Sequence, residues 1–357
     1  MPLETRLVAA FAAAAAITWL ATPLAMRAAF ATGFLDRPVG YKGHRAPTPY
    51  LGGSAIMLGL VLAALAFGGA TSDTAAIVAV AAGLWVLGTL DDRLNLSPFL
   101  RLALEAGAAV VLWATDNGWG VFGGGVLDLV LTTLWVIAIV NAVNLMDNMD
   151  GAAASVTVVS ALAIGVLAAA SSAALLAGLC FAIAGACAGF LPHNLARPAR
   201  IFMGDGGSMP LGLLLACVSL SAASHAAAGA NGVAIAALLV ALVILDTTLV
   251  MVSRRRGGRP LMTGARDHLT HRLRARLGSS LAAIAVIAAA QLVVAVAAVS
   301  LALAGPGAGL GLGLVGAVCG AWAIRRLEDP AWFEQRAASA PGHRSSHGVI
   351  ASPGGAD

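Results

Sequence analysis

The chain has 357 residues, 59% of them hydrophobic and only 11% charged, with 21 Lys+Arg against 17 Asp+Glu and a mean hydropathy of +0.89. Ordinary soluble domains carry about a quarter charged residues, so this composition excludes a water-soluble enzyme and makes lipid the solvent. A pI near 9.2 does not argue for nucleic acid, because a basic balance in a membrane protein records topology first.

Breaks at Gly, Pro and polar clusters divide the chain into apolar segments at 7–30, 51–69, 74–90, 99–116, 126–146, 152–170, 173–192, 208–224, 232–252, 279–304 and 308–325. Runs of this kind match the roughly 30 Å of hydrocarbon in a bilayer, and they predict an all-α, polytopic integral membrane protein of about eleven transmembrane helices. The first is too long for a signal-peptide core and has no basic pre-region, so it is read as a retained helix. One membrane domain is expected over 1–330. The tail, 331–357, is rich in Ala, Ser, Gly and Pro without periodicity and is expected to be disordered.

Of the 21 basic residues, Arg6 precedes the first helix, and the rest fall in or within a turn of 31–50, 91–101, 193–207, 253–278 and the tail. The connections between them near 70–73, 117–125, 171–172, 225–231 and 305–307 contain none. The positive-inside rule then predicts an outside N-terminus and a cytoplasmic C-terminus. All four cysteines, Cys180, Cys187, Cys217 and Cys319, lie in apolar runs without ligand spacing and read as buried packing residues.

The polar residues of the basic-rich connections carry the chemistry. Lys42, His44 and Arg45 precede Thr48-Pro49-Tyr50-Leu51-Gly52-Gly53, where Pro and Gly stiffen the entry to the second helix. Asp91 and Asp92 end the third segment, and adjacent carboxylates repel unless a cation sits beside them. Asn141, Asn144, Asp147 and Asp150 step by three, which on a helix makes one polar ridge. Such groups at a membrane helix end need partners, since burying them unpaired is costly.

Gly204-Asp205-Gly206-Gly207-Ser208 opens the eighth segment, with Ser208 read as its N-cap. Glycines before a helix N-terminus let backbone N–H groups approach an anion, while Asp205 is placed to hold a hard cation. Arginines crowd 254–276 together with Asp267, His268 and His271; the arginines serve as topology anchors, whereas the histidines suit a phosphate or a carbonyl. Glu105 and Asp246 lie inside apolar segments and rank below the helix-end carboxylates, with Thr247 and Thr248 supplying local bonds to Asp246.

In this order the motifs resemble the polyprenyl-phosphate N-acetylhexosamine-1-phosphate transferases: Thr48-Pro49 with Gly52-Gly53, Asp91-Asp92, Asn141-x-x-Asn144-x-x-Asp147-x-x-Asp150-Gly151, Gly204-Asp205-x-Gly207-Ser208, and Asp267-His268-x-x-His271-Arg272-Leu273. Eleven helices and a cytoplasmic tail resemble the GlcNAc-type branch more than the phospho-MurNAc-pentapeptide branch. Two positions depart from the pattern: Asn148 stands where Gly is usual, and Thr270 where another His is usual.

The resemblance implies transfer of a HexNAc-1-phosphate from a UDP-HexNAc to a polyprenyl phosphate, with release of UMP, at the cytoplasmic face of a bacterial-type inner membrane. It implies Mg²⁺, with Mn²⁺ as a substitute, held by Asp205 with Asp92 and Asp147. Asp91, Asp92 and Asp205 are the implied catalytic set, Asp91 orienting or deprotonating the lipid phosphate. Lys42, Arg45, Asn144, Asp147, Asp150, Gly204, His268, His271 and Arg272 are the implied substrate contacts. The implied partners are the UDP-sugar, the polyprenyl phosphate and membrane lipid, not nucleic acid, with homodimerisation left open. The competing class, an ion-coupled transporter, requires charges near the bilayer midplane and pseudo-symmetric halves; the acidic clusters sit at helix ends instead.

Overall fold

A computed structural model of the chain describes residues 1–36, 47–68, 72–227, 229–261, 267–305 and 309–329. Lys42, His44 and Arg45, the tail and its predicted disorder all lie outside these residues.

The architecture is helical. In chain order it runs α1 (Leu3–Thr32), a two-residue antiparallel pairing of β1 (Leu35–Asp36) with β2 (Thr48–Pro49), α2 (Gly52–Ala63) continued by a π turn (Ala64–Gly68), α3 (Ser72–Leu94), α4 (Pro98–Ala114), α5 (Val126–Met146), α6 (Ala152–Ala170) and α7 (Ala174–Asn194). Then follow α8 (Asp205–Ala226), α9 (Gly229–Leu239), α10 (Ala241–Arg256), α11 (Leu269–Leu277), α12 (Ser280–Ala304) and α13 (Gly309–Leu327). Among the described residues, eight helices are long and apolar enough to cross a membrane, or nine if the bent pair α9–α10 counts as one span. The eleven predicted segments all recur as helices. Two of them, α2 and α4, fall short of a full apolar span.

At the centre is α8, buried along nearly its whole length and flanked by α3, α5, α6 and α2. A second layer packs α1 and α6 on α7, and α12 on α6. Large apolar side chains such as Trp19, Leu20, Leu134, Val293 and Trp322 point outward, as they must where the surrounding medium is hydrocarbon. Cys180, Cys187 and Cys217 are buried as expected; Cys319 is exposed, because α13 is peripheral and buries only Gly309 and Leu327.

The segment expected as one helix at 232–252 is broken, with α9 and α10 meeting at 80°. Neither Pro nor Gly stands at the break. Gln291 of α12 reaches into it, donating from Nε2 to the Leu239 carbonyl at 2.8 Å and accepting at Oε1 from the Leu242 N–H at 2.9 Å. One side-chain amide thus replaces backbone bonds that the bend has opened, which a buried break in a membrane helix requires.

Candidate active site

The Gly204–Ser208 stretch is fixed from two sides. Gly52 N–H donates to the Phe202 carbonyl at 3.1 Å, Gly53 N–H to the Met203 carbonyl at 2.9 Å, and Phe202 N–H to the Pro49 carbonyl at 2.8 Å. A Cβ at Gly53 would collide with the backbone of Gly206 and Gly207, so the glycine there is a matter of approach distance. Gly204 has φ 71°, a left-handed conformation, and a side chain would strike the Asp92 carboxylate. It caps α8, which therefore begins at Asp205, the cap standing four residues before the expected Ser208 cap.

Asp92 explains that turn. Its Oδ1 accepts from Asp205 N–H at 3.0 Å and its Oδ2 from Gly206 N–H at 3.1 Å, the arrangement that the unpaired N–H groups of a helix N-terminus favour. Asp205 itself points away from this bond pair, its side chain 28% exposed, toward α4 and α5.

Arg101 completes the cluster. From the first turn of α4, which Ser97 caps and Pro98 opens, its Nη1 lies 2.7 Å from Asp91 Oδ2 and 3.2 Å from Asp205 Oδ2. Its Nη2 donates to Asn144 Oδ1 at 3.3 Å. Asn144 Nδ2 in turn donates to Asp205 Oδ1 at 2.7 Å and to Ser208 Oγ at 2.9 Å. Asp91 is nearly closed off, since its Oδ1 also accepts from Leu96 N–H at 2.7 Å. One turn along α4, Glu105 is fully buried and accepts from Asn141 at 2.6 Å, while its other oxygen has no partner among the described residues.

The polar ridge of α5 is thus divided. Asn141 and Asn144 face α4 and α8 within the helix, whereas Asp147 caps its C-terminus and Asp150 lies in the turn beyond. Burial, and after it the charges of Asp205, Asp150 and Asp92, pushes the Asp147 carboxyl well above the ordinary carboxylate range. Beside the same cluster, burial and the hydrogen-bonded Asp36 hold the Tyr50 phenol protonated. Among the described residues these carboxyl groups share one paired guanidinium, that of Arg101, and oxygen donors alone suit a hard cation such as Mg²⁺. Among the described residues no three His, Cys, Asp or Glu stand in a ready metal cage, and Asp92, an implied ligand, spends an oxygen on each of two backbone donors.

The histidine motif occupies the start of α11. His268 and His271 meet edge to face with ring centroids 6.2 Å apart. Thr270 Oγ1 donates to Asn148 Oδ1, so the two departures from the family pattern touch each other and tie α11 to the turn bearing Asp147. Arg272, implied as a substrate contact, is committed elsewhere. It is buried, with Nε donating to the Asp267 carbonyl at 2.8 Å and its terminal nitrogens bonded to Ser253 Oγ, the Leu327 carbonyl and Glu328. It pins α11 to α10 and to the end of α13. Arg101 is the site residue that sequence reading missed, because it reads as one more topology anchor; its spacing of ten residues from Asp91 was the only available signal.

Residues 74–223, which contain every member of this cluster, match the model of glycosyl transferase family 4. The chain is 31% identical over 280 residues (76% of this chain, 78% of the relative) to the probable undecaprenyl-phosphate N-acetylglucosaminyl 1-phosphate transferase of Bacillus subtilis. It is 37% identical over 304 residues, 73% of each chain, to the decaprenyl-phosphate N-acetylglucosaminephosphotransferase of Mycolicibacterium smegmatis. A phospho-N-acetylmuramoyl-pentapeptide-transferase of Nostoc sp. is 34% identical over 216 residues (54% of this chain, 58% of the relative). With the carboxylate cluster assembled from the motifs that carried the resemblance, and with relatives this similar over so much of its length, the chain belongs to glycosyl transferase family 4, among the polyprenyl-phosphate N-acetylhexosamine-1-phosphate transferases.

Proposed function

We propose that the chain transfers GlcNAc-1-phosphate from UDP-GlcNAc to a polyprenyl phosphate, releasing UMP. The convergence of Asp91, Arg101, Asn144 and Asp205 at adjoining helix ends carries this reading, together with the names of the relatives. An oxygen of the lipid phosphate attacks the sugar-linked phosphorus of the donor; the new P–O bond forms as the bond to the bridging oxygen breaks, and that oxygen leaves on UMP. The second pKa of a phosphate monoester is about 6, so the acceptor is already largely ionised at neutral pH and needs little base catalysis. Direct in-line attack is favoured on that ground over an aspartyl-phosphate.

The main task is to bring two anions together. Arg101, held between Asp91 and Asp205, is the fixed positive group among the described residues. Asp205 and Asp147 would hold Mg²⁺, which supplies charge screening for both phosphates. Asp92 holds the turn that aims Asp205, Asn144 orients its carboxylate, and Asp91 anchors Arg101. His268, His271 and Asp150 face the donor from the α11 side. The orientation proposed is active site and C-terminus cytoplasmic, N-terminus outside, with eleven membrane-crossing or membrane-embedded segments in an inner membrane.

Purified protein incubated with polyprenyl phosphate, Mg²⁺ and a panel of UDP-sugars should release UMP with UDP-GlcNAc. Release only with UDP-MurNAc-pentapeptide would move the chain to the other branch, and none with any donor would end the reading. Cysteines placed at 120 and 200 should label from outside and only after permeabilisation, respectively; the reverse would overturn the orientation.

A further inference from the structure

Asp246 lies in the second turn of α10, inside an apolar span, and is fully buried. Its neighbours do not satisfy it: Thr248 Oγ1 donates to the Ile244 carbonyl, and Thr247 Oγ1 has no partner among the described residues. Both carboxylate oxygens serve α11 instead. Oδ2 is 2.9 Å from His268 Nδ1, and Oδ1 accepts from the Leu269 N–H at 2.6 Å. A carboxylate persists in such surroundings only with donors of this kind. Beside an ionised Asp246, Nδ1 is the nitrogen that donates, and Nε2 makes no hydrogen bond to a described residue. Two positions on, the Thr270–Asn148 bond ties the same turn to the carboxylate cluster.

We propose that Asp246 is a positioning residue for the transfer reaction: it holds the His268 ring in the orientation that presents Nε2, as a hydrogen-bond acceptor, to a hydroxyl or amide N–H of the sugar donor. The inference rests on the transferase reading above, in which His268 faces that donor. The carboxylate acts from within the membrane span on a group at its edge, as buried carboxylates orient imidazoles in metal sites and triads.

The test uses the full chain with ¹⁵N-labelled histidine, the His268 signals being identified by their loss in His268→Gln. In the wild type, Nδ1 should resonate as a protonated nitrogen. Asp246→Asn keeps an oxygen for the Leu269 N–H but turns an amide N–H toward Nδ1, so the hydrogen should move to Nε2. The same variant should lower kcat for UMP release by about 10- to 100-fold, the usual cost of losing an orienting partner, with KM for polyprenyl phosphate little changed. The double variant should be no slower than His268→Gln alone. An unprotonated Nδ1 in the wild type, or losses that multiply in the double variant, would overturn the proposal; if Asp246→Asn fails to fold, the wild-type spectrum still decides. Full activity of His268→Gln removes the role of that ring in transfer and with it this proposal. Absence of UMP release from the wild type sinks the parent reading instead, and the spectrum reports the contact independently.

Discussion

Around Asp205 lie the carboxyl groups of Asp91, Asp92 and Asp147, and among the described residues one guanidinium, that of Arg101, pairs with two of the set, Asp91 and Asp205. Around α11 each acid has its own partner: Asp267 meets Arg254 and Arg259, Glu328 meets Arg272, and Asp246 meets His268. The two regions are joined through Asn148 and Thr270 yet balance their charge in opposite ways. A balanced buried set is stable as it stands, and breaking it harms the fold. An unbalanced one stays costly until something positive arrives, which on the proposed reading is a divalent cation.

The contrast is sharpest at Asp205. Asp205→Asn is nearly isosteric and keeps Asn144 in reach, so the fold should survive while kcat for UMP release falls by at least about 10³-fold. Near-full release at ordinary Mg²⁺ would place the metal elsewhere. In the balanced region, Arg272→Ala should behave in the opposite sense. It strands Glu328 and costs about 3 kcal/mol or more of stability, with kcat of the folded fraction within about threefold of wild type. A lower kcat at unchanged melting temperature would return Arg272 to the substrate.

Arg101→Gln should cut kcat/KM by about 10²-fold, and Arg101→Lys should recover part of that loss, because a point charge cannot span Asp91, Asp205 and Asn144 together. Equal activity of the Gln variant would reduce Arg101 to an anchor. Asn148→Ala, which removes only the link between the regions, should cost about 1 kcal/mol of stability; no change would mean that the regions are not coupled there.

The smallest effect concerns Asp147. Its folded-state pKa is raised, so ionising it costs stability, and that cost appears as pH rises through the raised value. Asp147→Asn should therefore raise the melting temperature of the metal-free protein at mildly alkaline pH and change it little in acid, as activity is lost. A variant less stable than wild type at alkaline pH would show that the region is not short of positive charge.

Much of this was legible from residue order. The boundaries of α5 and α6 coincide with the predicted segments, because each apolar run ends abruptly at polar or turn residues. The clustering of Asp91, Asn144 and Asp205 followed from motifs at helix ends. What stayed hidden depends on distant partners. Arg101 and Arg272 look alike as surface-seeking arginines until one meets carboxylates and the other a carbonyl 55 residues away. Asp246 looked locally satisfied because its true partner lies 22 residues on, beyond a polar loop. The division of 232–252 into α9 and α10 is invisible in that stretch itself; its sign is Gln291, a lone amide in an otherwise apolar helix.

Gln291 also makes the bend depend on a helix that comes later in the chain. During synthesis the segment that becomes α9 and α10 enters the bilayer before the glutamine, which follows the Leu239 carbonyl by 52 residues. Until α12 docks, a bent backbone there would hold its open carbonyl and N–H groups against lipid, which hydrocarbon does not tolerate. Asp246 is carried on the C-terminal limb of that bend, so its contact with His268 depends on the amide that α12 brings to the break.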